Sequence, residues 1–154
     1  MKILDFLNEK AVIASLKATT KEEVIRELVD LLAKAEGIRN KEELVQVLLN
    51  REALGSTGIG QGVGIPHGKT NSAKRLVAAF GICSKGINFD ALDGEPVYIF
   101  FLLVAPEDSA GPHLKGLARI SRLLKDKFFR ESLKALQDEK AIINLIRQED
   151  SKRI

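Results

Sequence analysis

Nine consecutive apolar residues, Val97 to Ala105 (VYIFFLLVA), constrain most tightly what this chain can become. A run with no polar face must be covered on both sides, which is the pattern of a buried strand. It is far too short to cross a bilayer, which takes about 20 apolar residues as a helix. Leu76 to Cys83 (LVAAFGIC) is a second such run, and Ala91-Leu92-Asp93-Gly94-Glu95-Pro96 between them has turn chemistry. Helical periodicity surrounds this pair. Thr20 with Glu23 reads as a capping box, followed by Val24, Ile25, Leu28, Val29, Leu31 and Leu32 at helical spacing until Gly37. Asn40 with Glu43 starts a second helix through Leu44, Val47 and Leu48 to about Arg51. Beyond Pro112 a third helix carries Leu114, Leu117, Ala118, Ser121 and Leu124, and shorter ones are predicted over Phe129–Leu136 and Asp138–Arg147. The first third therefore reads as helical, the middle as strands and the end as helical again. Mixed strands and helices in this order imply a layered α/β domain.

Length and composition fit one such domain. The chain has 154 residues, enough to bury a real core, and 45% of them are hydrophobic. Its 24 basic and 21 acidic residues are interleaved, with no basic stripe broken by aromatics, so nucleic acid is not an expected partner. The N-terminus, MKILDFLNEK, lacks the apolar segment and cleavage site of a signal peptide. Cys83 is the sole cysteine, which rules out an internal disulfide and suits a reducing cytoplasm. It is expected to be plain core.

The chemistry concentrates in Arg51 to Thr70, REALGSTGIGQGVGIPHGKT. Gly55, Gly58, Gly60, Gly62 and Gly64 precede Pro66 and His67, with Gly68 behind. Glycines let backbone N–H groups approach a bound anion, and the proline stiffens the backbone just before the imidazole. Taken alone, the stretch is either such a site or a glycine-rich turn with a histidine beside it. Two commoner phosphate motifs do not fit. No frame from Gly58, Gly60 or Gly62 places a glycine sixth, as a dinucleotide fingerprint requires. Gly68-Lys69-Thr70 ends like a P-loop, but the first glycine falls on Val63 and Asn71 to Arg75 leave no room for its helix. Two distant histidines, one cysteine and no H-E-x-x-H give no metal ligand set.

The same residues resemble a known signature. Arg51-Glu52, Ser56-Thr57-Gly58-Ile59-Gly60 and Gly64-Ile65-Pro66-His67-Gly68 look like the active-site block of enzyme IIA domains. These serve the phosphoenolpyruvate-dependent sugar phosphotransferase system, in its fructose, mannitol and nitrogen-regulatory branch. Phe89-Asp90-Ala91-Leu92-Asp93-Gly94-Glu95-Pro96-Val97 is similar to a second block, and His113-Leu114 with Leu117-Ala118 and Leu123-Leu124 to the family's histidine-led helix. Gly64 stands where alanine is more usual. The likeness spans nearly the whole chain, so residues 1–154 are expected to form a single type 2 enzyme IIA domain. It implies an α/β/α sandwich with a mixed, roughly five-stranded sheet.

The resemblance also implies roles. His67 is expected to accept a phosphoryl group, through Nε2, as a phosphotransferase intermediate. Neutral imidazole suits this near pH 7, since its ordinary pKa is about 6.5. His113 is expected beside it, bonding the phosphoryl group or setting the acceptor's tautomer, unless it only caps its helix. Arg51 carries a fork fitted to phosphate oxygens, unless it is a solvated helix-end charge. Ser56, Thr57, Gly58 and Gly68 are expected to bind phosphate, although turn formation explains Ser56 and Thr57 almost as well. No cofactor, metal or membrane insertion is expected. The implied partners are the histidine-containing carrier HPr or a paralogue, and an enzyme IIB. Cys83 lacks the flanks of a IIB phosphocysteine. Two functions stay open: a phosphocarrier in sugar uptake, and a nitrogen-regulatory protein whose phosphorylation state controls binding to target proteins. A chain without fused IIB or membrane IIC domains fits both.

Overall fold

The computed structural model describes residues 1–152. After a 3₁₀ turn at Ile3–Asp5, strand β1 covers Leu7–Ile13. Helix α1, Lys21–Glu36, starts where the Thr20 side chain accepts from Glu23 N, and ends at Gly37, whose φ of 72° is left-handed. Helix α2, Lys41–Ala53, is capped by Asn40 on Glu43 N. Three short strands follow: β2 at Gly58–Gly60, β3 at Val63–Gly64 and β4 at His67–Lys69. The long strands β5, Val77–Ile87, and β6, Val97–Ala105, then lead into α3, Ala110–Leu123, α4, Lys127–Ala135, and α5, Glu139–Ser151.

The strands form one mixed sheet in the order β1-β5-β6-β3-β2, with β4 also paired to β6. β5 and β6 are antiparallel, whereas β3 and β4 run parallel to β6 one after the other along its free edge. Alternation along β5 and β6 sorts the core into two layers. Val77, Ala79, Phe100, Leu102 and Val104 pack with Val24, Leu28, Leu32, Leu44 and Leu48 of α1 and α2. Ala78, Phe80, Phe101, Leu103 and Ala105 pack with Ile120, Leu123, Phe129, Leu133, Ile142 and Ile146 on the other side. The three-layer α/β/α architecture is therefore present, and Cys83 is buried core, 5% exposed. Among the described residues no helix is long and apolar enough to cross a membrane.

One expectation needs correction. The first third is not wholly helical, because Leu7–Ile13 forms an edge strand parallel to β5. Its middle is polar, with Asn8 half-buried and Glu9 and Lys10 exposed, so the apolar alternation that marks a half-buried strand is incomplete. The mixed sheet itself is as expected: among the described residues five strands form its continuous path, and β4 adds a sixth where the segment after Pro66 returns to β6 beyond the end of β3.

Candidate functional site

His67 owes its position to the backbone around Pro66. Leu103 N donates to Pro66 O at 2.9 Å, which docks the start of β4 on β6. His67 then pairs with Leu103 and Lys69 with Ala105, at the carboxyl end of β6. The imidazole turns back so that Nδ1 lies 2.7 Å from Ile65 O. A carbonyl only accepts, so Nδ1 carries the proton and Nε2 keeps its lone pair.

His113 meets this ring from α3. Pro112 and His113 occupy the third and fourth positions of that helix, and His113 N donates to Ser109 O at 3.1 Å. The two imidazoles have centroids 5.4 Å apart and cross at 68°, edge to face. His113 is 6% exposed, and its Nε2 has no hydrogen-bond partner among the described residues. A buried polar nitrogen without a partner is costly unless something at the site bonds it.

Arg51 comes from the last turn of α2, with Nη1 donating to Gly55 O at 2.8 Å. Together with His67, Gly68, Lys69 and His113 it lines an open cleft of about 520 Å³, with Leu54 and Leu114 also at its walls. Those two leucines are 85% and 67% exposed, so the cleft is apolar where it meets solvent. α2 can lie this close to β4 because residue 68 is glycine: a Cβ there would sit 2.8 Å from Val47 Cγ1.

Both imidazoles are neutral at pH 7. Burial holds His67 below the ordinary imidazole value, against the bond to Ile65 O; the Arg51 charge lowers it further and Glu52 opposes that. His113 is pushed down to about 4, chiefly by burial and then by His67 and Lys69. The arrangement thus offers an unprotonated Nε2 on His67, a second neutral imidazole beside it, and two cations facing the same space.

The structure brings His67, His113, Arg51 and Gly68 together at this cleft. Ser56, Thr57 and Gly58 do not line it. Ser56 Oγ donates to Phe89 O at 2.8 Å and accepts from Gly58 N at 3.0 Å. Thr57 is 3% exposed, and its hydroxyl donates to the Glu52 carboxylate. These donors are spent inside the framework. Two further residues of the site do not stand out in the sequence. Lys69 shows there only as the lysine of an incomplete P-loop, and Glu52 only as part of the Arg51-Glu52 signature. Glu52 has a visible cue in being adjacent to Arg51 at a helix end, but nothing in the sequence shows that it is buried.

A three-layer α/β domain with paired histidines at the carboxyl end of a central strand is the class that this fold and site define. Residues 5–149 match the family described as "Phosphoenolpyruvate-dependent sugar phosphotransferase system, EIIA 2". The chain belongs to that family. It is 39% identical over 146 residues to a nitrogen regulatory protein of Bradyrhizobium diazoefficiens, covering 95% of both chains. It is 37% identical over 150 residues to the PTS system fructose-specific EIIABC component of Bacillus subtilis, covering 97% of this chain but 24% of that protein. The crystal structure of nitrogen regulatory protein IIA-Ntr from Neisseria meningitidis superposes with a TM-score of 0.84 at 31% identity, over 92% of this chain and 97% of the other.

Proposed function

We propose that this chain is a single phosphocarrier unit that accepts a phosphoryl group on His67 Nε2 from phospho-HPr or a paralogue and passes it to an enzyme IIB. The observation that carries this reading is the free Nε2 lone pair at an open cleft with Arg51, Lys69 and His113 around it. In the forward step a P–N bond forms at His67 Nε2 while the donor's P–N bond breaks and its electron pair returns to the donor imidazole. His67 keeps its proton on Nδ1, so no proton has to move. Positioning and charge stabilisation are what such a transfer needs. Arg51 and Lys69 supply positive charge, and the neutral His113 supplies a nitrogen for a phosphoryl oxygen. The exposed Leu54 and Leu114 offer a shallow apolar rim on which a second active site can dock.

A second reading is favoured by one finding: a relative matched over 95% of both chains is named a nitrogen regulatory protein. In that case phosphorylation of His67 would alter binding to target proteins rather than feed transport. Incubation with enzyme I, HPr and phosphoenolpyruvate should add one HPO₃ by intact mass, labile to acid and stable to base. His67→Ala should abolish the gain. No gain with a competent donor from the same organism would defeat both readings, and retained phosphorylation in His67→Ala would move the acceptor to His113. Transfer onward to a IIB of the same organism separates transport from regulation.

A further inference from the structure

A line of bonded groups runs from the start of α1 to the back of His67. Lys21 Nζ lies 2.9 Å from Glu52 Oε1, and its ammonium sits 4.7 Å from the centre of the Phe89 ring. Glu52 is 7% exposed. A carboxylate buried that deeply persists only where it is paired and hydrogen-bonded. Its further bonds all come from one residue: Thr57 N at 3.2 Å and the Thr57 hydroxyl. Thr57 passes the connection on, since Thr57 O accepts from Ile65 N at 3.0 Å. Ile65 O in turn accepts the hydrogen bond from His67 Nδ1–H. The residue whose carbonyl decides which imidazole nitrogen is protonated is therefore held by Thr57, and Thr57 is held by Glu52.

We propose that Lys21, Glu52 and Thr57 form a positioning relay that keeps His67 as its Nδ1–H tautomer with Nε2 facing the cleft. The inference rests on the phosphocarrier reading of His67. None of the three lines the cleft, so each acts through its neighbour: the ammonium compensates the buried carboxylate, the carboxylate clamps Thr57 by backbone and hydroxyl, and Thr57 fixes Ile65. A valine at 57 fills nearly the same volume but leaves Glu52 short of a buried donor, and the segment must shift to relieve it. Once Ile65 O moves, the Nε2–H tautomer competes, and in that form Nε2 has no lone pair for attack.

The test reads the imidazole directly. Long-range ¹H–¹⁵N spectra at about pH 8, above the ordinary imidazole pKa, should show a protonated Nδ1 and an unprotonated Nε2 for His67 in the wild-type protein. Thr57→Val and Glu52→Gln should move both nitrogen shifts towards the averaged values of exchanging tautomers. Phosphorylation by phospho-HPr should slow by about tenfold or more, as loss of reacting geometry does. Thr57→Ser, which retains the hydroxyl, should restore both. If Thr57→Val does not fold, Glu52→Gln answers by the same spectrum. Wild-type nitrogen shifts in a folded Thr57→Val or Glu52→Gln protein would overturn the relay. A wild-type protein that holds the Nδ1–H tautomer yet takes no phosphoryl group would instead defeat the phosphocarrier reading.

Discussion

At the scale of single residues, His113 is the side chain whose surroundings say most. Its ring is buried, unpartnered at Nε2 and set edge to face against His67. If it bonds the phosphoryl group in the transition state, His113→Ala should slow transfer by on the order of a hundredfold while His67 remains phosphorylatable at long times. Equal single-turnover rates for mutant and wild type would leave His113 a packing residue. The same experiment applies to Arg51→Ala, where the fork has donors beyond the one given to Gly55 O. Burial also links His113 to stability. Its folded pKa of about 4 lies below the ordinary imidazole value of 6.5, so between those values the unfolded chain binds the proton and the folded one does not. Stability is therefore full above about pH 6.5 and declines as pH falls towards 4, by at most about 3 kcal/mol from this group. Chemical denaturation of wild type and His113→Asn across that window should show a shallower acid slope in the variant. Parallel slopes would mean that His113 does not resist protonation.

At the scale of elements, the site depends on how close α2 comes to β4. Gly68→Ala would place a methyl 2.8 Å from Val47 Cγ1, and valine has little χ1 freedom in a helix. The helix end bearing Arg51 should be pushed off β4, costing about 1–3 kcal/mol as overpacking does and slowing phosphorylation as well. Val47→Ala in the same chain should recover much of both losses. A double mutant no better than Gly68→Ala, in melting and in transfer rate, would show that this contact does not set the spacing. The elements differ in how plainly the sequence announces them, for physical reasons. β6 was legible to the residue because both its faces are covered, so nothing interrupts the apolar run. β5 runs on to Ile87, past the expected end at Cys83, where exposed Ser84 and Lys85 interrupt the apolar run that announces the strand. α1 was legible at both ends because a threonine cap and a left-handed glycine are local signals. β1 was not, being an edge strand with polar middle residues. In the site, His67 and Arg51 stood out through their motif, and the resemblance brought His113 to them. The inward turn of Thr57 was hidden, because its hydroxyl's acceptor, Glu52, gives no sign of burial in a linear pattern.

At the scale of the whole molecule, the cleft opens where the helical layers on both sides of the sheet converge. α2 from one side and α3 from the other meet over the carboxyl ends of β4 and β6, where ligands of open α/β sheets commonly bind. That position leaves His67 reachable by a protein partner without any rearrangement of the core. The surroundings suit brief encounters, with exposed Leu54 and Leu114 next to Arg51 and Lys69. Weak transient interfaces of this kind bury less than about 1,200 Å². Unphosphorylated HPr added to ¹⁵N-labelled protein should therefore shift amides of Leu54, Gly68, Lys69 and Leu114 in fast exchange. The β2–β3 hairpin should stay still, because its donors are turned inward: Gln61 N is tied to Asp93 Oδ2 at 2.9 Å and Gly58 N to Ser56 Oγ at 3.0 Å. Phe128, 82% exposed at the start of α4, is a second control, since it is apolar yet away from the cleft. Shifts centred on the hairpin or on Phe128 would place the partner on another face and remove the docking role from Leu54 and Leu114. Shifts confined to the cleft should disappear together with phosphoryl transfer when Leu54 and Leu114 are both replaced by Asp.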